Sequence, residues 1–310
     1  MTTNASTLTT SPSGVQRSHR RISAGKILAW FILIVAIVIV LFPFWWVIRT
    51  SLSTLRDLLA QSASLTPVGF TTINYARVLG LVDTATSIAA GGSGQAINFL
   101  LYLRNSIIVS VVTVFGQVFF SALAAYAFAR LTFPLRDKIF FLYVTGLMIP
   151  GIVTLIPNFI LIRQLQWQNT FFGLIAPAFL MTPFAVFFLR QFFLGLNREL
   201  EEAAKLDGCT IFGVFRQIIL PISLPPITTI GILTFVTTWN SYLWPFLVGQ
   251  NENVRMLTAA LAIFRSQTPQ GAPDWTGLMA ATMVALVPTL LLFIFVGRRV
   301  VNNIQFTGFK

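Results

Sequence analysis

Apolar residues in this chain come in long runs rather than in the short alternations of a soluble core. Six runs are long enough to cross a bilayer as a helix, which takes about 20 predominantly apolar residues. They cover residues 27–48, 106–128, 139–162, 171–189, 227–248 and 278–296. The first run is too long and too uniformly apolar for a signal-peptide core, and no small-residue cleavage site follows it. The pattern predicts an all-α, polytopic membrane protein with six transmembrane helices. Its expected organisation is a basic, Ser/Thr-rich and largely disordered tail (1–26), a first helix (27–48), an extracytoplasmic loop (49–104), a core of five helices (105–297) that includes a cytoplasmic loop at 197–226, and a second tail (298–310).

A few positions interrupt the runs. Pro150, Pro157, Pro183 and Pro245 are expected to break or kink the helices that contain them, because proline lacks the N–H and clashes with the preceding turn. Kinks let helices diverge around a cavity. Gln117, Asn158 and Asn240 are the polar positions, suited either to helix-to-helix hydrogen bonds or to a solute path.

Composition supports the membrane reading. Hydrophobic residues make up 55% of the chain, charged ones only 10%, and mean hydropathy is +0.79; soluble domains carry about 25% charged residues. The net charge of +12 would suit a nucleic-acid binder if it formed one patch, but the basic residues are scattered among the loops. With the N-terminus inside, fourteen Lys and Arg fall on the cytoplasmic side and seven on the other. That excess places both termini in the cytoplasm.

Several functions are disfavoured. One cysteine, Cys209, and one histidine, His19, supply neither a disulfide framework, nor a metal site, nor a Ser-His-Asp arrangement. No catalytic cluster is evident. None of the nine acidic residues lies within a run, which argues against a proton- or ion-coupled secondary carrier. No G-x-x-x-x-G-K-[ST] motif is present, so ATP is not bound here by a P-loop.

The cytoplasmic loop is the informative segment. Residues 199–206 predict a short helix of strong helix formers, with Gly208 as its stop. Thr210 is placed to cap a second helix over 211–220, with Phe212, Phe215, Ile218 and Ile219 on one apolar side and Pro221 at its end. Two such helices form a knob whose apolar side needs a partner. Glu202-Ala203-Ala204, Gly208, Ile218 and Leu220-Pro221, at their spacing, resemble the coupling-loop signature of binding-protein-dependent ABC importer permeases.

The resemblance extends along most of the chain. Leu65 to Thr71 with Asn74-Tyr75, Asn105-Ser106, Ala124 to Arg130 with Phe133-Pro134, Met148 to Pro150, Asn169-Thr170 with Gly173-Leu174, and Trp239 to Pro245 are similar to segments of the second permease subunit of maltose-type transporters. The resemblance implies a chain without its own cofactor. It implies as partners a homologous second permease, two ATPase subunits that bind ATP and Mg, and an extracytoplasmic solute-binding protein, all at a bacterial inner membrane. It also implies that Glu202, Ala203, Ala204, Asp207, Gly208, Ile218, Leu220 and Pro221 couple to the ATPase. Asn158, Trp239, Asn240 and Tyr242 are candidates for the translocation path, and Asn251, Glu252 and Arg255 for contact with the binding protein. A sugar or oligosaccharide is the expected solute, with glycerol 3-phosphate as the alternative and an ion-coupled carrier as a more distant one. Two departures stand out: residues 87–95 look like an insertion, and the ending 304–310 matches only partly.

Overall fold

A computed structural model describes residues 24–92, 98–265 and 273–304, and among them no strand occurs. The tails at 1–23 and 305–310 lie outside the described residues, and so do positions 93–95 of the expected 87–95 insertion. The chain divides into two units, 1–46 and 47–310. The first contributes most of α1 (Ala24–Ser51), a helix apolar on every side, as a lipid-facing span is.

The second unit opens with three short helices: α2 (Leu55–Ala60), α3 (Ile73–Val78) and α4 (Thr84–Ala89). Its axis is α5 (Phe99–Arg130), 32 residues or about 48 Å long. It begins seven residues before the expected span. α5 is amphipathic in the opposite sense to a soluble helix. Asn105, Ser106, Ser110, Thr113 and Ser121 are buried, whereas Ile107, Val111, Phe115 and Phe119 face outward. Small residues let neighbours approach it. A Cβ at Gly116 would sit 2.3 Å from the Phe179 ring. Ala122, Ala125 and Ala129 are buried in one cluster with Ala185, Val186 and Leu189. This is how helices pack tightly in lipid, where apolar contact gives no advantage over the acyl chains.

The later spans are more broken than their hydropathy suggests. The expected third span is two elements: α6 (Arg136–Val144), continued by a 3₁₀ turn (Thr145–Met148), and α7 (Gly151–Gln164). They meet at 99°. Pro150 causes the break by holding extended backbone (ψ 133°) at the start of α7. Pro157, by contrast, is absorbed within α7. The fourth span is α8 (Phe171–Phe179) and α9 (Pro183–Leu194), bent by 42°. Pro183 does not kink this span from within. It stands at the first position of α9, where the missing N–H costs nothing.

After α9 come α10 (Glu199–Leu206) and α11 (Ile211–Ile222), then α12 (Leu224–Trp239), which lies at 78° to α11. The fifth span therefore ends at Trp239. Its expected final third is a separate helix, α13 (Leu243–Val248), with Pro245 buried in it. The remaining helices are α14 (Leu257–Leu261) and α15 (Trp275–Ile304). Among the described residues, three helices are long and apolar enough to cross a membrane, or up to six if each bent pair is one span.

The break at 180–182 is satisfied from α5. Thr182 N–H donates to Ser121 Oγ at 3.3 Å, and Gln117 Nε2 donates to Thr182 Oγ1 at 3.2 Å and Thr234 Oγ1 at 3.0 Å. Gln117 thus ties α5, α9 and α12 together, the helix-to-helix use of a polar residue in a span. Broken backbone at membrane depth persists only where such partners supply its hydrogen bonds.

Candidate functional site

The knob forms as its residues dictate. α10 closes on Asp207, and Gly208 follows with φ +84°. Gly208 N–H donates to Lys205 O at 3.0 Å, and Cys209 N–H to Ala204 O at 2.9 Å. This is the Schellman pair of bonds, which requires a left-handed residue at that point. No atom lies within 4 Å of a Cβ built on Gly208, so backbone conformation, not space, demands the glycine. Thr210 Oγ1 accepts from Gly213 N–H at 3.1 Å and starts α11.

α11 departs from expectation at its end. Pro221 does not stop it, and the helical turns continue to Ile222. A proline ring clashes with the carbonyl four residues earlier. The helix meets this by widening into a π turn over Phe215–Ile219, with Leu220 N–H reaching back to Phe215 O. The chain then turns sharply at Ser223 into α12.

The residues of the knob divide into two faces. Ala204, Val214, Phe215 and Ile219 are buried against α5 and α9, and the Phe215 ring lies 5.2 Å from Tyr126. Ile218 and Leu220 are half-buried beside them. Glu202, Ala203, Asp207 and Gly208 are exposed. Around them Leu200, Leu206, Ile211 and Phe212 also face outward, Leu206 at 89% exposure. An apolar patch rimmed by carboxylates, on a rigid turn, is a surface for a partner. Of the expected apolar side of α11, Phe215 and Ile219 are anchors, while Phe212 belongs to the open face.

Three residues that the signature does not include hold the knob. Glu201, next to Glu202, points inward and meets Arg130 at 2.8 Å, both side chains nearly enclosed. Tyr126 O–H donates to Ile211 O at 3.4 Å. The sequence carried a trace of this: Tyr126 and Arg130 both belong to the Ala-rich segment that closes the second span.

The opposite end of α5 is polar and closely pinned. Asn105 Nδ2 donates to Asn253 O and Arg255 O at 3.0 and 3.1 Å, and Ser106 Oγ accepts from Leu257 N–H at 2.8 Å. Asn169, at φ +56°, accepts from Gln250 and Asn251 N–H at 2.9 Å each. Asn74 Nδ2 donates to Ser51 O and Ser53 O. A buried ion pair, Arg77 with Asp274, joins α3 to the start of α15. Asp274 also accepts from Gly277 N–H at 2.8 Å and Thr276 Oγ1 at 3.1 Å.

The candidate path and receptor residues fare unequally. Trp239 is enclosed. Its indole N–H donates to Ala285 O at 3.2 Å, and its ring stacks on Phe235. It is a packing residue, and of the four path candidates only Asn158, Asn240 and Tyr242 keep open surface. Asn240 Nδ2 donates to Val236 O at the end of α12. Tyr242 stacks on Phe246. Asn251 and Glu252 are exposed and Arg255 half-buried. Glu252 accepts from Tyr102 O–H at 3.2 Å, and the Arg255 guanidinium lies over the Tyr102 ring. These three share one loop, held against the start of α5.

Residues 117–305 match the family model described as "Binding-protein-dependent transport system inner membrane component". The chain is 36% identical over 209 residues to the arabinooligosaccharides transport system permease protein AraQ of Halalkalibacterium halodurans, covering 67% of this chain and 74% of that one. It is 30% identical over 273 residues to the sn-glycerol-3-phosphate transport system permease protein UgpE of Salmonella typhi, covering 88% and 93%. A chain of a bacterial ABC transporter involved in the import of the acidic polysaccharide alginate superposes with a TM-score of 0.73 at 20% identity, covering 88% of this chain and 95% of that one.

Proposed function

The chain belongs to the family of binding-protein-dependent transport system inner membrane components, and from that premise we propose that it is one permease subunit of an ATP-driven importer for a sugar or oligosaccharide. The observation that carries this reading is the knob. Its inward face is locked to α5 and α9, while Glu202, Ala203, Leu206 and Phe212 are left open. In this reading the open face seats in a separate ATPase subunit, which binds ATP and Mg and does the hydrolysis. The chain itself performs no covalent chemistry.

A homologous second permease completes the translocation path, and Asn158, Asn240 and Tyr242 line this chain's share of it. The pinned end, with Asn251, Glu252 and Arg255, faces the extracytoplasmic binding protein. Both termini and the knob lie in the cytoplasm, and the membrane is the bacterial inner membrane. ATP binding draws the two ATPases together, and the knob carries that motion to the spans.

The similarity to AraQ supports an oligosaccharide. The similarity to UgpE favours glycerol 3-phosphate as the second reading. The test is uptake into membrane vesicles that contain the intact complex. The proposal expects ATP-dependent accumulation of labelled oligosaccharide, with the ATPase and the second permease co-purifying. Accumulation of glycerol 3-phosphate in its place would select the second reading. Uptake that persists without ATP or the ATPase would overturn both.

A further inference from the structure

Neighbouring glutamates on α10 face opposite ways: Glu202 is exposed, and Glu201 is buried. Glu201 meets Arg130, the last residue of α5, at 2.8 Å, with the two side chains only 6% and 3% exposed. Arg130 has a second attachment, since its Nη2 donates to Leu196 O at 2.6 Å, in the link between α9 and α10. One guanidinium therefore joins the end of α5, the end of the α9 segment and the first helix of the knob.

We propose that Arg130 and Glu201 are the positioning residues through which movement of the knob enters the membrane helices. The inference rests on the reading of the knob as the ATPase-docking element, and it concerns a step beyond docking. The physical case has three parts. An enclosed ion pair with one partner removed leaves an uncompensated buried charge, so the three elements separate reluctantly and move as one body. Arginine's guanidinium donates to Leu196 O while it stays in ion-pair range of Glu201 on another side, a geometry that a lysine ammonium does not reproduce. Finally, the helix so gripped is α5, which packs on α8, α9, α12 and α14, so a displacement of its last turn reaches the fourth and fifth spans. Tyr126, one turn earlier, holds α11 in the same way through Ile211 O. Glu202 then serves the partner, and Glu201 serves the transmission.

The test uses the assembled complex in proteoliposomes and reads solute imported per ATP hydrolysed, normalised to complexes that retain the ATPase. Arg130→Lys and Glu201→Gln should each lower this ratio about tenfold or more. The inverted pair Arg130→Glu with Glu201→Arg should recover most of it. A merely structural pair would lower the yield of complex and leave the ratio at the parental value, and that result would overturn the proposal. So would an inverted pair no better than the single variants. A parental complex that holds no ATPase yields no ratio at all, which would count against the docking reading itself.

Discussion

The two ends of α5 are held by different means. At the Asn105 end, side-chain amides and hydroxyls reach backbone carbonyls and amides of loops distant in sequence, and the Arg77–Asp274 pair closes the arrangement. Loops fixed through their own backbone have little freedom to shift. At the Arg130 end, small residues pack helix on helix, and the knob is attached through one ion pair, one tyrosine and the Phe215–Ile219 turn. Its outward face is left apolar. The first end has the construction of a platform and the second that of a lever. The proposed role, a transport subunit between a receptor and an ATPase, calls for one of each.

Three substitutions separate these roles. The largest effect on stability should come from Asp274→Ala. It leaves Arg77 buried without its carboxylate, at a cost of about 3–5 kcal/mol. Thermal unfolding in detergent should begin well below the parental temperature. Solute moved per ATP should hold in the complexes that survive. Loss of that ratio with stability intact would erase the distinction between platform and lever.

Gly208→Val should do the reverse. A β-branched residue at φ +84° costs about 1–2 kcal/mol locally, too little to unfold the chain. Uptake should nevertheless be lost, because the turn sets the angle between α10 and α11. The amount of protein in the membrane should stay near parental on a blot. Normal uptake by this variant would remove the lever from the account.

Gln117→Leu should be the mildest. It removes two mid-membrane hydrogen bonds, each worth about 0.6 kcal/mol on average. A small loss of thermal stability is expected, together with altered uptake, because the break at 180–182 loses one of its two partners on α5. A fall in stability as large as that of Asp274→Ala would show that the middle of α5, not its polar end, carries the platform.

Features set by local chemistry could be read from the sequence. Strong formers over 199–206, Gly208 and the Thr210 cap define the knob, and its first helix has the predicted bounds. Long apolar runs located the spans. The breaks were harder, because hydropathy does not register direction. The break at Pro150 was among those expected, but Leu180-Met181-Thr182 is as apolar as a continuous helix would be, and only its partners reveal that bend. Pro183 and Pro221 show the same limit: one starts a helix and the other is accommodated within one. The ion pairs were out of reach for a different reason. Arg77 and Asp274 lie 197 positions apart, and each looks like an ordinary charge of a solvated loop. The family resemblance makes Trp239 and Asn240 path candidates together, but burial assigns the two to different surroundings.

Site-directed cross-linking within the intact complex tests the central claim most directly. With Cys209→Ser as background, Phe212→Cys puts a thiol on the open face of the knob, and Phe70→Cys puts one on an exposed position of the pinned end. The account predicts that a bifunctional thiol reagent links the Phe212 variant to the ATPase subunit, identified by mass spectrometry of the adduct, and does not link the Phe70 variant to it. A transporting complex in which Phe212→Cys yields no ATPase adduct, or in which both positions yield it equally, would contradict the account.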